Sequence, residues 1–481
     1  MMVAWGRRRL GRAAAGMVAA LGAGGCALNR AAGGGPPAVA HGVVTVTFSP
    51  WSAGSWTPTI QRLLAQAVAP FEAANRGLKV QLVPPPGGCC NPAALTAALV
   101  AGTAPDIVLN NNFGGYAEGG YFLPLDGYLR RDNIDVRRWS PAQIASFRSW
   151  KGGQLLALPT YYNTAAYLVN LTTLDNAGMA YPDPAWTHDA FLGLARRLSS
   201  NSGGKQRFGC NLWYWTGQAW GSDWIYRAFG GSKVEAGGMR CGLAAGPSQA
   251  AGDWIYPQIL WSKVGTTQDT FGGYTAQFVT GRTAMSVQQT GTLLAAVTQL
   301  AATSTKWEIY PFPVFPSGRA SFGGDQFYAI SSLTRHPEQA WALLRWLSAE
   351  TQWQKAAIRI FLMAPALLSL WPEWISIVQS VAPPLHGKQV QWFADAAVRG
   401  YAYPTSYFRY VDAAAETIIQ GYFADLAARR TSVRQAFTSA TKQVDALELA
   451  NAKVPSTTLS QQRSAGLKLQ GRIGQMFVQG S

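Results

Sequence analysis

Apolar and polar positions alternate in two short segments near the start of the chain, and a helical pattern lies between them. Residues 43–48 and 78–83 alternate with the two-residue period of a β-strand. Apolar residues recur at three- and four-residue spacing over 60–71, as in an amphipathic helix. Residues 105–109 form a third predicted strand. A strand, a helix and a strand in succession predict a βαβ unit with a right-handed crossover.

The same alternation of strands and helices continues along the chain. Residues 208–212 favour a strand, and a helix is predicted to begin after Thr187, whose hydroxyl can cap it. Pro337 opens another predicted helix, and residues 411–449 are mostly helical in pattern. We therefore predict an α/β fold with mostly parallel sheets flanked by helices.

The first 42 residues indicate export. Residues 7–12 are rich in arginine, and residues 13–25 are weakly apolar but shorter than the roughly 20 residues that span a bilayer. Small residues precede Cys26, as in a lipobox, so we predict that residues 1–25 are removed and that Cys26 is lipidated. The alternative is an ordinary signal peptide with a chance cysteine. Export could follow the general or the twin-arginine route.

Composition and charge narrow the class of protein. The chain has 481 residues, enough for two or three domains, and Gly- and Pro-rich residues 26–42 predict a flexible tether. The net charge is +16, of which the leader carries four. Later basic residues are scattered singly or in pairs, so the charge suits an anionic envelope and does not indicate a nucleic-acid partner. The mature chain has no membrane-spanning pattern and is expected to be soluble and tethered.

Two cysteines outside the leader leave an alternative open. Cys210 and Cys241 flank a 30-residue segment, and outside the cytoplasm they could form a disulfide or remain two free buried thiols. The adjacent Cys89 and Cys90 are left unassigned.

A series of short blocks, in a fixed order, resembles a known family. The chain is similar to the type 1 extracellular solute-binding proteins of bacterial ABC importers, of which maltose-binding protein is the familiar member. The blocks lie at residues 105–108, 119–126, 152–159, 166–170, 278–285, 323–331 and 336–341. Residues 288–292 depart from the family pattern, because they lack the aromatic residue that is often found there.

The resemblance implies two α/β lobes of the type II periplasmic-binding-protein fold, joined by crossings near 159–163, 310–313 and 348–352. It assigns 43–159 and 310–350 to the N-terminal lobe, 160–309 and 351–450 to the C-terminal lobe, and 451–481 to a tail. A monomer would capture a solute by hinge closure and deliver it to the transmembrane subunits of an ABC permease. No cofactor and no metal is expected.

Sugar sites combine aromatic rings with short polar side chains, and open α/β sheets bind ligands beyond the carboxyl ends of their strands. Trp220 and Trp224 have helical spacing and are assigned to a core instead. The candidate ligand-binding residues are Trp51, Trp56, Asn111, Asn112, Phe113, Tyr161, Asn163, Trp213, Trp215, Gln289, Gly324, Asp325 and Gln326.

An enzyme is the main alternative. The four histidines show no metal-ligand spacing, and neither a nucleophile elbow nor a phosphate-binding loop is present. A glycoside hydrolase needs two carboxylates, and only Asp325 is a candidate at the site. A second alternative is a binding protein for a glycerol phosphodiester or a polyol.

Overall fold

The computed structural model describes residues 42–50, 56–88, 91–110, 113–114, 116, 118–150, 152–202, 205–212, 222–235, 237–267, 274–324 and 326–452. Its strands, in chain order, are β1 (Val44–Phe48), β2 (Leu78–Leu82), β3 (Ile107–Asn110), β4 (Leu158–Pro159), β5 (Ala165–Asn170), β6 (Ser200–Ser202), β7 (Lys205–Asn211), β8 (Gly265–Thr266), β9 (Thr283–Gln289), β10 (Trp307–Tyr310), β11 (Val314–Phe315), β12 (Gly318–Arg319), β13 (Ser321–Phe322), β14 (Phe327–Ile330) and β15 (Ala402–Tyr403).

Its α-helices are α1 (Pro58–Ala74), α2 (Pro92–Val100), α3 (Asp126–Arg131), α4 (Pro141–Ser146), α5 (Leu171–Asn176), α6 (His188–Leu198), α7 (Asp223–Ala228), α8 (Gly246–Ile255), α9 (Tyr274–Val279), α10 (Leu293–Ala301), α11 (Pro337–Ala349), α12 (Thr351–Phe361), α13 (Trp371–Val381), α14 (Gln391–Val398), α15 (Asp412–Ala427) and α16 (Val433–Ala452). Single 3-10 turns occupy Val136–Arg138, Thr290–Thr292, Leu368–Leu370 and Pro383–Leu385, and the π-helical segment Tyr256–Trp261 continues α8.

The first sheet has the order β2-β1-β3-β14-β4. β1 runs parallel to β2 and β3, as the βαβ pattern predicted, and β14 runs antiparallel to β3 and β4. Helix α1 lies between β1 and β2 in the chain and buries Leu64, Val68 and Phe71, which belong to its predicted apolar face. The sheet and its helices share one core, which extends to Trp341 on α11.

The second sheet has the order β10-β5-β9-β7-β6, with β8 beside β7. β7 is parallel to β8 and β9, whereas β5 is antiparallel to its neighbours β9 and β10. Two cores cover this sheet, one with α6, α8, α15 and α16 and the other with α10, α13 and α14. The chain therefore has the predicted α/β architecture of two lobes, each with its own sheet flanked by helices. Both sheets are mixed and not mostly parallel as predicted, because β14 in the first and β5 in the second run antiparallel to their neighbours.

Three segments cross between the lobes side by side. Thr164 and Gly323 form one antiparallel bridge, and Tyr161 and Pro365 form another. The first crossing, between β4 and β5, lies where the sequence predicted it. The second lies near Gly323 and the third near Pro365, so both come later in the chain than the predicted 310–313 and 348–352. Trp353 and Met363 accordingly belong to the core of the first lobe, which corrects the predicted start of the C-terminal lobe at 351.

The shift of the second crossing corrects the lobe boundary at residue 310. Tyr310, Phe312, Phe315 and Phe322 are buried in a core of the second lobe. The hairpin of β11 and β12 also belongs there, because the Val314 amide donates to the Trp186 carbonyl. This stretch is apolar enough to be buried in either lobe, so its sequence did not distinguish between them.

The Thr187 hydroxyl caps α6 by accepting from the Ala190 amide at 3.2 Å, as predicted, and Pro337 begins α11.

Cys210 and Cys241 are both free and buried, so the disulfide alternative is wrong for this structure. Both thiols belong to the large apolar core of the second lobe, and burial raises the pKa of both above their ordinary value.

Candidate functional site

The strand ends of both sheets meet at the crossings. In the first lobe, Asn110 at the carboxyl end of β3 pairs with Phe327 at the start of β14, immediately after the second crossing. In the second lobe, Gln289 at the carboxyl end of β9 pairs with Ala165, immediately after the first crossing. Ligands of open α/β sheets bind at such strand ends, so this junction is the candidate site.

Asn163 is the centre of the junction. Its amide oxygen accepts a hydrogen bond from the Thr290 hydroxyl at 3.0 Å, and its carbonyl accepts from the Gly324 amide at 2.6 Å. A Cβ at Gly324 would lie only 2.6 Å from the Asn163 Cβ, so this close approach requires glycine. Asn163 thus links its own crossing to the end of β9 and to the second crossing, and contact of Asn163 and Gly324 with a solute stays a prediction.

Two buried glutamines at the junction present unpaired carbonyl oxygens. Gln289 is the last residue of β9, and Gln326 lies in the second crossing, where its backbone carbonyl accepts from the Thr160 amide at 3.2 Å. The side-chain oxygens of Gln289 and Gln326 accept no hydrogen bond from the described residues. A buried amide without a partner is unfavourable by about 1–3 kcal/mol, so these oxygens are suited to accept from a ligand hydroxyl.

Gln143 was not identified from the sequence. It lies on α4 in the first lobe and is fully buried. Its side-chain amide nitrogen lies 3.3 Å from the carbonyl oxygens of Tyr161 and Gly324, which belong to different crossings. A glutamine on a short helix carries no pattern that marks it as a hinge contact, so only the fold reveals it.

Phe113 and Tyr161 require correction as ligand-contacting residues. The Phe113 ring is enclosed by Phe147, Phe327 and Tyr407, and Tyr161 belongs to the same apolar core of the first lobe. Both rings are therefore buried in the core of the first lobe and have no exposed face for a solute.

Some of the remaining predicted positions belong to the described residues, and the others lie outside them. Trp56 is half-buried at the start of α1, where its carbonyl accepts from the Gln61 side chain at 3.0 Å. Trp224 is buried in the core, as its helical spacing indicated. The other candidates lie outside the described residues: Trp51, Asn111, Asn112, Trp213, Trp215, Asp325 and Cys26.

A strap of residues 401–411 adds a further connection between the lobes. Tyr407 packs in the first-lobe core, so closely that a Cβ at Gly114 would lie 2.6 Å from its ring. The next residue, Phe408, is buried in a second-lobe core. The strap also joins the crossings, because the Tyr162 hydroxyl donates to the Ala402 carbonyl at 2.7 Å.

A buried ionic network anchors the end of this strap. The Lys233 ammonium lies 3.4 Å from the Asp223 carboxylate and also donates to Glu416. Asp412 accepts from the Phe408 amide at 2.8 Å, and Glu448 accepts from the amides of Tyr410 and Val411. Burial raises the pKa of Glu416 to about 8 and that of Asp412 to about 6, although Lys233 opposes both shifts.

The junction itself is uncharged within the described residues. Its polar groups are side-chain amides and hydroxyls. No group of three or more His, Cys, Asp or Glu side chains in the described part could hold a metal ion. No helix of the described chain is long and apolar enough to cross a membrane.

Comparison of the fold with solved structures identifies similar proteins. The sugar-binding protein MalE from Xanthomonas citri is 17% identical with a TM-score of 0.67, and the match covers 85% of this chain and 98% of that one. Lmo0181 from Listeria monocytogenes, an ABC substrate-binding protein in complex with cycloalternan, is 17% identical with a TM-score of 0.65, covering 84% and 98%. UgpB from Mycobacterium tuberculosis, in complex with glycerophosphocholine, is 18% identical with a TM-score of 0.65, covering 86% and 100%.

Sequence comparison gives the family. A search of curated proteins finds no match. A family model of bacterial extracellular solute-binding proteins matches residues 53–352, which is more than half of the chain. With two lobes and a polar junction between them, the chain therefore belongs to the bacterial extracellular solute-binding proteins, which act outside the cytoplasm.

Proposed function

We propose that this chain is the solute-binding subunit of an ABC importer, that it captures a carbohydrate between its lobes, and that it releases the carbohydrate unchanged to a membrane permease. The observation that carries the proposal is the set of neutral amides and hydroxyls at the junction. Asn163, Gln289 and Gln326 come from the crossings and a strand end, and two of them have unpaired buried oxygens. Sugar hydroxyls donate to such oxygens.

Charge favours a carbohydrate over a glycerol phosphodiester. A buried anion needs a cation or several aligned amides. The segments that follow the strand ends, 51–55, 111–112 and 213–221, contain no Lys or Arg. They contain five of the tryptophans and asparagines proposed above to contact the solute: Trp51, Asn111, Asn112, Trp213 and Trp215. This mixture suits the apolar faces and polar edges of sugar rings.

Calorimetric titration of the exported protein with a ligand panel tests the proposal. The panel contains malto-oligosaccharides, a cyclic glucan, monosaccharides, polyols and glycerophosphocholine. We expect saturable binding of at least one carbohydrate and no release of reducing ends after long incubation. Tight binding of glycerophosphocholine alone would support the phosphodiester alternative, and release of reducing ends would indicate an enzyme.

Aromatic stacking is tested at the tryptophans. Ala at Trp51, Trp56, Trp213 or Trp215 should weaken carbohydrate binding by about 1 kcal/mol or more for each ring that stacks, with the far-UV spectrum unchanged. Tyr181, an exposed aromatic residue remote from the strand ends, provides the matched control. Unchanged affinity in a variant with all four substitutions would remove these residues from the site.

We also propose that Cys26 anchors the mature protein to the membrane. The basic leader, the short apolar segment and the small residues before Cys26 support this. Mass spectrometry of the exported protein should find residue 26 at the N-terminus with attached acyl chains. An unmodified Cys26 would contradict the anchor without affecting the carbohydrate proposal.

A further inference from the structure

Basic residues that are scattered in the sequence come together at one end of the second lobe. This end, which we call the basic pole, lies at the amino ends of β7 and β9, opposite the strand ends that form the candidate site. The basic pole consists of Arg196, Arg197, Lys205, Arg207, Lys263 and Arg282. All six residues are exposed.

Backbone contacts place these residues together. β6 and β7 form a hairpin in which Ser200 pairs with Arg207, so Arg196 and Arg197 at the end of α6 lie near the hairpin. The Phe208 amide donates to the Arg282 carbonyl at 2.8 Å, which sets Arg282 beside Arg207.

Lys263 reaches the same place from the other side of β7. The carbonyl of its neighbour Val264 accepts from the Gly209 amide at 2.8 Å and from the Ser199 hydroxyl at 3.2 Å. Four separate segments thus bring their positive charges to one end of one sheet.

Most charges of the pole are not neutralised by a described carboxylate. Arg197, Lys205, Arg207 and Lys263 form no ion pair with the described carboxylates, whereas Arg131 and Arg137 in the first lobe do. Arg196 donates to the Gln258 side-chain oxygen at 3.4 Å, which leaves its charge in place. Exposed, uncompensated cations on one face create a local positive potential that attracts an extended anionic surface.

We propose that the basic pole docks on the anionic phosphate headgroups of the membrane to which the chain is anchored. The pole lies opposite the strand ends, so docking would leave the candidate site accessible to solute. The inference rests on the proposed membrane anchor and not on the identity of the solute. A tether of 17 residues can reach at most about 60 Å, so the proposed anchor would hold the chain near the bilayer surface.

Vesicle binding tests this proposal with the mature chain, residues 26–481, carrying Cys26→Ala, which has neither an acyl group nor the basic leader. We expect co-sedimentation with vesicles of phosphatidylcholine mixed with phosphatidylglycerol, weakening steeply between about 50 mM and about 300 mM NaCl. Pure phosphatidylcholine vesicles should not bind. Absence of binding to the anionic vesicles at low salt would overturn the proposal.

A charge-matched pair of variants separates the pole from net charge. The pole variant replaces Arg197, Lys205, Arg207 and Lys263 with Gln. The control variant replaces Arg62, Arg76, Arg130 and Arg138, which are exposed, form no ion pair with described residues and lie in the first lobe. Each basic residue near an anionic surface contributes about a fivefold increase in affinity, so the pole variant should lose at least a hundredfold.

The control variant should lose far less affinity for the vesicles. Equal losses in both variants would show that only net charge matters and would contradict a docking surface. Free inorganic phosphate should not raise the melting temperature through these residues; if it did, the pole would be a discrete phosphate site. Carbohydrate titration of the pole variant should be unchanged, so its result and a failure of the proposed solute are distinguishable.

Discussion

At the scale of single residues, Lys233 is the most consequential buried charge in the described structure. It is 1% exposed and supplies the cation for Asp223 on α7 and Glu416 on α15. Lys233→Met leaves the buried Asp223 carboxylate without its cation, so we expect the free energy of unfolding to fall by about 3–5 kcal/mol in urea titrations. Arg240→Met, at an exposed ion pair, should change it by less than about 0.5 kcal/mol. Equal small effects would contradict the importance of the network.

Glu416 should make stability depend on pH. Burial raises its pKa in the folded state to about 8 from an ordinary value of 4.5. Between these values the folded state holds more protons than the unfolded state, so the free energy of unfolding should fall as the pH rises from about 5 to about 8. Glu416→Gln imitates the protonated side chain, so urea titrations across this range should show a flatter dependence. Glu235→Gln, at a half-buried carboxylate paired with Arg240, is the control, and an unchanged slope in Glu416→Gln would refute the shift.

Individual site residues could be predicted where a strand end or a family block marked them. Asn163, from the predicted first crossing, and Gly324 and Gln326, from a family block, lie at the junction, and their contact with a solute stays a prediction. Phe113 was predicted to contact the solute but is buried in the core. An aromatic residue after a strand is compatible with a core and with a cleft, and its packing against Phe147 and Phe327 shows that it belongs to the core. Gln143 and Lys233 were missed because their roles depend on partners remote in sequence.

At the scale of elements, α4 contributes to the hinge through Gln143. Gln143→Leu removes the donor shared by the Tyr161 and Gly324 carbonyls, so we expect a loss of about 1–3 kcal/mol in the free energy of unfolding. Because the two carbonyls belong to different crossings, carbohydrate affinity should change as well, which titration calorimetry measures.

A buried cap in the second lobe is the control for Gln143. Asn170→Ala removes the cap of α5, where the side chain accepts from the Thr173 amide at 2.9 Å. It should cost about 1 kcal/mol of stability and leave affinity unchanged. Identical affinities in Gln143→Leu and the unmodified protein would show that Gln143 has only a structural role.

Most elements could be predicted from periodicity, because local patterns determine helices and strands. β1, α1, β2 and α6 fall within a few residues of their predicted places. The assignment of elements to lobes was harder, since it depends on contacts between distant segments. Residues 310–322 illustrate this: their aromatic residues pack around Trp186 and Trp224, which precede them by about a hundred residues.

At the scale of the whole molecule, three crossings and the strap of residues 401–411 connect the lobes. Several parallel connections restrict relative motion to bending about one axis, and groups from both sides of the junction can contact one solute. A closed state would gain contacts that an open state lacks, and that difference in affinity lets a solute shift the population. A permease could then distinguish the loaded form from the empty one.

Small-angle X-ray scattering, with and without a saturating carbohydrate found by titration, tests this account most directly. We expect the radius of gyration to decrease on binding, because the lobes close around the solute. Saturation must be confirmed by calorimetry on the same sample. An unchanged radius of gyration at confirmed saturation would contradict capture by hinge closure and indicate a rigid receptor.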